Sequence, residues 1–198
     1  MGVFCIFIKK TMKSKFKFYI SQLVVLFVFI ACDKEFPEPK VIQFEKQQVV
    51  ANYDWKIISP NGNSLNFITK YNKTIFIYHW SVNDKNNIAS LKKLEDFYNA
   101  YKTKIEFIFV TNDSQVDVRN FIESNNFTFP VFFSLSPIPS PMSIEETSKA
   151  YLISKKGRIV IENIGDANWN SKQFYSIVEG LIKQWYEFTL VFWRCKPF

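Results

Sequence analysis

The stretch TIFIYHWSVNDKNN, residues 74–87, decides the fold of this chain. Its first half, 74–80, is rich in β-branched and aromatic residues and almost uncharged, which is typical of a strand buried at the centre of a sheet. A polar run follows, and apolar residues then recur every three or four positions from Ile88 to Tyr101, which is the spacing of one helix face. The stretch therefore predicts a central strand, a loop and the start of a helix.

The elements on either side of this stretch alternate between strand and helix. Such alternation predicts parallel strands with crossover helices, and a late hairpin adds antiparallel strands. We therefore expect an α/β domain with a central mixed β-sheet and helices on both faces. The other predicted elements, in chain order, are two strands around a PNGN turn in 51–67, a strand in 105–111, a helix with Ser114 as its N-cap, a strand in TFPVFF, a hairpin around Lys155–Gly157 and a helix from Ser171.

The first 31 residues predict a targeting segment. A lysine cluster in 9–17 precedes the apolar run YISQLVVLFVFIA, which is the pattern of a secretory signal and is shorter than the roughly 20 apolar residues of a membrane span. The end of the run, VFIAC, resembles a bacterial lipoprotein cleavage site, with Phe29 as a departure, and this predicts lipidation of Cys32. An ordinary signal with an idle Cys32 is the alternative. Translation starts at Met1 or at Met12, since the residues after Met12 already form a complete basic region.

The net charge of +7 arises largely in this segment. Five of the 25 basic residues lie in 1–31 and none of the 18 acidic residues does, so the remainder carries 20 basic and 18 acidic residues. A body so close to neutral gives no electrostatic argument for nucleic acid as a partner.

The cysteines exclude an internal dithiol. Of the three, Cys5 lies in the targeting segment, Cys32 is assigned to lipid, and only Cys195 remains. A single thiol forms no intramolecular disulfide and no redox couple. The only histidine, His79, shares a strand face with Ile75 and Ile77 and is expected to lie in the core, so that we expect no metal site and no cofactor.

Composition divides the chain into four parts. We expect a signal peptide in 1–31, a lipid-anchored polar tether in 32–48, a globular domain in 49–186 and an apolar tail in 187–198. Three alternatives remain for the tail: it extends the last helix and packs on the sheet, it offers a surface to a partner, or it is the remnant of a frameshift.

The order of these elements resembles the membrane-anchored TlpA/ResA-type thiol-disulfide oxidoreductases of the thioredoxin-like superfamily. The resemblance spans residues 53–184 and implies a thioredoxin-like fold. The matching segments are TIFIYHW, LKKLEDFYNAYK, IEFIFVT, TFPVFF, YLISKKGRIV and IGDANWNS.

The resemblance also implies a degenerate active site. In that family a Cys-x-x-Cys motif follows the central strand, and alignment on its tryptophan places the motif on Asp84, Lys85, Asn86 and Asn87. The family's cis-proline, which faces the motif, falls on Ser148. The family uses the helix N-terminus to lower a thiol pKa, whereas Asp84 suits the same place as a helix cap.

These expectations favour a binding or scaffold domain over a redox enzyme. We expect a peptide or protein partner on the old substrate face, in a groove between Trp80 and Met142, unless Trp80 only packs in the core. The alternatives are a thiol-disulfide oxidoreductase that works with Cys195 or with a partner's thiols, and a structural subunit of an outer-membrane assembly. The resemblance and the targeting segment place the protein in a bacterial cell envelope, lipid-anchored and facing the periplasm or the surface; they name no ligand, leaflet or oligomeric state.

Overall fold

Seven strands form one sheet around the segment that begins at Thr74. The computed structural model describes residues 36–84, 87–145 and 148–194, with side chains described throughout except at Asn87 and in 184–194. The folded unit begins at Phe36. The strands and helices are β1 Lys56–Ile58, β2 Ser64–Asn66, β3 Ile75–His79, α1 Asn87–Tyr101, β4 Glu106–Thr111, α2 Gln115–Asn125, β5 Val131–Ser134, β6 Lys149–Ile153, β7 Ile159–Ile164 and α3 Lys172–Arg194, with 3-10 turns at Phe44–Lys46 and Phe67–Lys70.

The sheet is mixed, as the sequence predicts. Its strand order is β2-β1-β5-β4-β3-β6-β7, with β3, β4 and β5 parallel and every other neighbour antiparallel. Because β6 runs against β3, the end of β3 lies beside the start of β6, and His79 is paired with Val110 on one side and with Lys149 on the other. We call this end of the sheet the site end, and the end where β3 and β4 begin the base.

The three α-helices in the described residues pack on one face, which corrects the expectation of helices on both. Their described buried side chains join a single core with Phe76, Tyr78 and Trp80 of the central strand region. This core is largely aromatic; Phe109 and Phe129, for example, stack at 4.2 Å between ring centroids. Each such pair stabilises the core by about 0.5–1.5 kcal/mol beyond the area that it buries.

The opposite face is covered by irregular segments. Ile75 and Ile77 alternate onto this face because successive strand side chains point in opposite directions. They pack with Trp55 and Phe67, and with Met142 from the loop between β5 and β6. That proline-rich loop therefore supplies core side chains in place of a helix.

Part of the predicted tether is docked on the domain, which corrects the expectation for residues 36–48. Phe36 is buried, the Pro37 carbonyl accepts from Asn168 N at 2.7 Å, and Ile42 N donates to the Val160 carbonyl at 2.9 Å. The docking of this segment could not be predicted from its polar composition. Its contacts with β7 involve main-chain groups, which every residue has, so they leave no pattern in the sequence.

The local signals for turns and caps mostly hold. Ser114 caps α2, as expected, with its hydroxyl accepting from Asp117 N at 3.2 Å. In the PNGN turn Gly62 has a positive φ of 80°, and Ser59 N donates to the Asn63 carbonyl at 3.0 Å across the turn. Helix α3 continues to Arg194 and so includes most of the predicted tail. None of the helices in the described residues is long and apolar enough to cross a membrane.

Candidate functional site

The structure brings together the two positions that the resemblance singles out. The Ser148 hydroxyl donates a hydrogen bond of 2.9 Å to Asp84 Oδ2, which joins the loop after β3 to the residue before β6. Ser148 has φ 58°, in the left-handed region, and its carbonyl accepts from Gly165 N at 2.8 Å. Ser148 is therefore fixed by two hydrogen bonds, one from its side chain to Asp84 and one from Gly165 to its main-chain carbonyl.

The expected role of Asp84 as a helix cap involves residues 85 and 86, which lie outside the described residues. Helix α1 is described from Asn87 onward. A turn at 82–83 leaves the Asp84 main chain bonded to Ser81, with N–H to carbonyl at 3.3 Å, and its carboxylate accepts from Ser148. The carboxylate thus ties two segments of the site end together.

A second carboxylate organises the loop after β3. Asp113, which follows β4, accepts from Val82 N at 2.7 Å, from Ser81 Oγ at 3.0 Å and from Thr111 Oγ1 at 3.0 Å. It lies close because β3 and β4 are parallel neighbours whose ends meet. Asp113 was not among the predicted site residues. Its position two residues after the end of the buried strand β4 is the feature from which it could have been predicted.

Tyr78 lies beneath the Asp84–Ser148 contact. Its side chain is fully buried, and its hydroxyl hydrogen-bonds to Ser148. The pKa of the phenol is raised to about 12, mainly by burial; hydrogen bonds with Ser148 and Ser90 lower the pKa, and the nearby Asp166 and Asp84 add to the increase. The tyrosine therefore stays protonated at physiological pH.

The other face of the sheet carries a buried lysine that sequence analysis missed. Lys149 Nζ donates to Ser143 Oγ at 2.9 Å and lies 3.3 Å from Glu162 Oε1, while the Tyr151 hydroxyl donates to the Ser143 carbonyl at 3.1 Å. Burial lowers the pKa of the Lys149 ammonium, but Tyr151 and Glu162 outweigh this and hold the pKa above its ordinary value. A charged ammonium is no general base, so the Ser143–Lys149 pair has no means of activating its hydroxyl.

His79 lies in the core, as expected, and 3.4 Å separates its Nε2 from Asn112 Nδ2. Within the described residues no group of three or more histidine, cysteine, aspartate or glutamate side chains is arranged to hold a metal.

The predicted groove between Trp80 and Met142 is corrected. Trp80 is 0 % exposed and packs against Phe121 and Phe129 on the helical face, whereas Met142 is 5 % exposed in the core of the opposite face. The two residues cannot line one cleft because the sheet separates them.

Several predicted site residues lie outside the described residues. They are Lys85, Asn86, the side chain of Asn87, and the three cysteines Cys5, Cys32 and Cys195. The proline-rich loop contains a cis peptide bond at Ser140–Pro141.

No family model matches this sequence, and no curated protein matches it. Solved structures do match. A DsbF homologue from Corynebacterium diphtheriae has a TM-score of 0.56 at 10% identity over 77% of this chain and 98% of its own. The fold is thioredoxin-like.

Two further thioredoxin-like structures give the same result. A secreted thiol-disulfide isomerase from Corynebacterium glutamicum has a TM-score of 0.54 at 10% identity, over 78% of this chain and 94% of its own. The thioredoxin domain of a thiol-disulfide oxidoreductase from Bacteroides vulgatus has a TM-score of 0.51 at 16% identity, over 68% and 98%. At such identities the likeness establishes the thioredoxin-like fold alone.

Proposed function

We propose that this thioredoxin-like domain binds a peptide or protein partner at its site end without thiol chemistry. The observation that carries the proposal is the hydrogen bond between Ser148 and Asp84, at the positions where the resemblance places a proline and a catalytic cysteine. A carboxylate offers no sulfur for exchange with a disulfide. The site end keeps its geometry through hydrogen bonds instead.

The chemistry of the site end favours a basic or polar segment as the partner. Four described acids lie in the loops of this end, and Lys149, the described cation at the start of β6, is buried. The acids are Asp84, Asp113, Glu145 and Asp166. Such an arrangement attracts lysine and arginine side chains and repels acidic segments.

The proposed location is the bacterial cell envelope, with the chain anchored through lipidated Cys32. The basic and apolar pattern of 1–31 supports this, and one of the similar structures is of a secreted protein. Labelling with a radioactive fatty acid tests it: the native chain should incorporate label and Cys32→Ala should not.

A redox assay tests the absence of thiol chemistry. The full chain is assayed for turnover of a protein disulfide by dithiothreitol, beside Cys195→Ser and the double variant Asp84→Cys/Asn87→Cys. We expect no turnover above background by the native chain, and a gain by the double variant, whose new thiol would lie before the N-terminus of α1. Turnover by the native chain that is lost in Cys195→Ser would establish the alternative function, an oxidoreductase that uses Cys195.

Selection from a phage-displayed library of random peptides tests binding. We expect peptides rich in lysine and arginine, whose affinity falls at least about tenfold with Asp84→Lys because a like charge replaces an attracting one. Lys156→Glu, at the opposite end of the sheet, serves as the matched control and should leave affinity unchanged. Selected peptides that bind both variants as well as the native chain would refute the proposed site.

A further inference from the structure

The base of the sheet carries a concentration of positive charge. Three loops meet there, 70–74, 102–106 and 154–158, because β3 and β4 begin and β6 ends at this edge. They contain seven cations and one acid, Glu106. The cations are Lys70, Lys73, Lys102, Lys104, Lys155, Lys156 and Arg158.

The single acid of these loops is already neutralised. Glu106 lies 2.6 Å from Lys70 Nζ and 2.6 Å from Lys73 Nζ. Four lysines, Lys73, Lys102, Lys104 and Lys155, line a shallow cleft of about 290 Å³ beside it. The base therefore has a strong positive excess, although the chain beyond residue 31 is almost neutral, and the four acids of the site end balance it from the other side.

Exposed apolar side chains accompany this charge. Ile68 is 53% exposed and lies in the 3-10 turn Phe67–Lys70, and Tyr71, the C-cap residue of that turn, is 60% exposed. An aliphatic and an aromatic side chain among lysines is a pattern of surfaces that enter the headgroup region of a bilayer.

Helix α3 continues past the base. Glu179 pairs with Lys104 at 3.3 Å and the Ile182 carbonyl accepts from Lys155 Nζ at 2.9 Å, so the helix has reached the basic loops by these residues. The following twelve residues to Arg194, KQWYEFTLVFWR, extend it by about 18 Å at 1.5 Å per residue. This extension is rich in tryptophan, tyrosine and phenylalanine and contains one acid. It is also short compared with the roughly 30 Å of a hydrocarbon core, and its aromatic composition is typical of segments at the membrane interface.

From these three features we propose that the base is a docking surface for an anionic lipid membrane. The lysines bind acidic headgroups, while Ile68 and Tyr71 enter the interface, and α3 carries an aromatic-rich stretch of the chain past the same edge of the sheet. A nucleic acid and an anionic membrane would both neutralise the lysines, but only the membrane would also bury the exposed Ile68 and Tyr71, because a phosphate backbone leaves apolar side chains in water. The docking also orients the domain, because its acidic site end is repelled by anionic lipid and is turned toward solvent, where a partner can reach it.

Hydrogen exchange on the full chain, bound to vesicles, tests this surface locally. Any membrane affinity of residues 1–31 is shared by all variants, so the readout is the exchange of individual segments. Vesicles of phosphatidylcholine with about one third phosphatidylglycerol are compared with pure phosphatidylcholine, a proportion chosen to give a surface potential like that of an anionic leaflet. We expect protection of 67–73 and 102–104 only on the anionic vesicles, with no protection of 81–84 or 112–114.

Two variants and a matched control complete the test. The basic variant changes Lys73, Lys102, Lys104 and Lys156 to glutamine, and the control changes the exposed Lys40, Lys46, Lys92 and Lys172, which removes the same charge elsewhere. We expect the basic variant to lose the protection and the control to keep it. Ile68→Ser/Tyr71→Ser, which retains every lysine, should lose it as well.

Three results would overturn the proposal. They are equal protection on neutral vesicles, protection of the site end in place of the base, and equal loss in the control and the basic variant. Protection that rises with protein concentration in the absence of vesicles would assign the base to a second copy of the chain instead.

Discussion

The hydroxyl of Ser148 donates to the carboxylate of Asp84 across the end of the sheet, at 2.9 Å. The two residues are 64 positions apart, and they meet because β6 runs antiparallel to β3. Tyr78 supports the pair from below with its own bond to Ser148. A short polar network of three residues therefore occupies the place where the resemblance implies a redox site.

Substitutions of Ser148 should separate its hydrogen bond from its backbone conformation. Ser148→Ala should lower the free energy of unfolding by about 1 kcal/mol because the bond is lost. Ser148→Gly should cost less, since glycine adopts φ 58° without strain. Ser148→Pro should cost about 3 kcal/mol or more because proline requires φ near −65°.

Urea denaturation measures this series, with Ser124→Ala as a control at an exposed helical serine. A proline variant as stable as the native chain would show that position 148 does not have the left-handed conformation.

Asp113 should be the carboxylate that most stabilises the loop after β3. Asp113→Ala removes an acceptor from Val82 N, Ser81 Oγ and Thr111 Oγ1 and should cost about 2–3 kcal/mol, since hydrogen bonds to a charged group are the stronger ones. Chemical denaturation measures the loss. Asp117→Ala, at the exposed start of α2, is the comparison, and an equal effect of both variants would contradict the special role of Asp113.

Tyr78 should make stability fall at alkaline pH. Its pKa is raised from 10.0 to about 12 in the folded state, so its contribution is complete below pH 10 and is lost as pH rises toward 12, by at most about 3 kcal/mol. Tyr78→Phe should cost about 1 kcal/mol at neutral pH through the lost bond to Ser148 and should decline less steeply between pH 10 and 12. Unfolding curves across this range measure the difference. The exposed Tyr71→Phe should follow the native profile, and parallel profiles for Tyr78→Phe and the native chain would show that the phenol is not buried.

Glu106 should have the opposite dependence, in acid. Burial raises its pKa, but the hydrogen bonds and charges of Lys70 and Lys73 outweigh this and hold the pKa below its ordinary value of 4.5. Its contribution is therefore present above pH 4.5 and is lost as pH falls through the lowered pKa. Glu106→Gln should cost about 1 kcal/mol at pH 7, since both ion pairs are partly exposed, and should approach the native stability in acid.

Thermal unfolding at several pH values checks the Glu106 prediction. Salt should reduce the effect at pH 7 because these pairs are accessible to screening ions. A difference between the two proteins that stays constant from pH 7 to pH 3 would show that the carboxylate is not ionised in the native state.

Much of the fold follows from local patterns in the sequence. The uncharged run around Phe76 predicted the central strand, and the spacing from Ile88 to Tyr101 predicted α1, which the structure places at Asn87–Tyr101. Such patterns are reliable because burial of one face imposes the period of the element on its apolar residues. The docking of residues 36–48 and the packing of the proline-rich loop were missed because main-chain bonds and isolated apolar residues such as Met142 leave no period to detect.

The residues of the candidate site also fall into those that the sequence predicted and those that it did not. The resemblance selected residues 84–87 and Ser148, and the structure brings two of these, Asp84 and Ser148, into contact. It could not select Asp113, Tyr78 or Lys149, whose roles depend on which strands are neighbours and which face each side chain takes. It also combined Trp80 and Met142 into a groove that the sheet itself divides.

The amino-acid sequence alone determined which segments form strands and helices, that residues 33–194 contain no cysteine, and that the chain beyond residue 31 is nearly neutral. These properties depend on composition and local spacing, so they do not depend on how the strands and helices are arranged in space. Only the tertiary structure decided that Ser148 meets Asp84, that the helices share one face, and that the lysines of three distant loops gather at the base while the acids gather at the opposite end. Strand order and direction create these neighbourhoods, because they bring together residues that lie far apart along the chain.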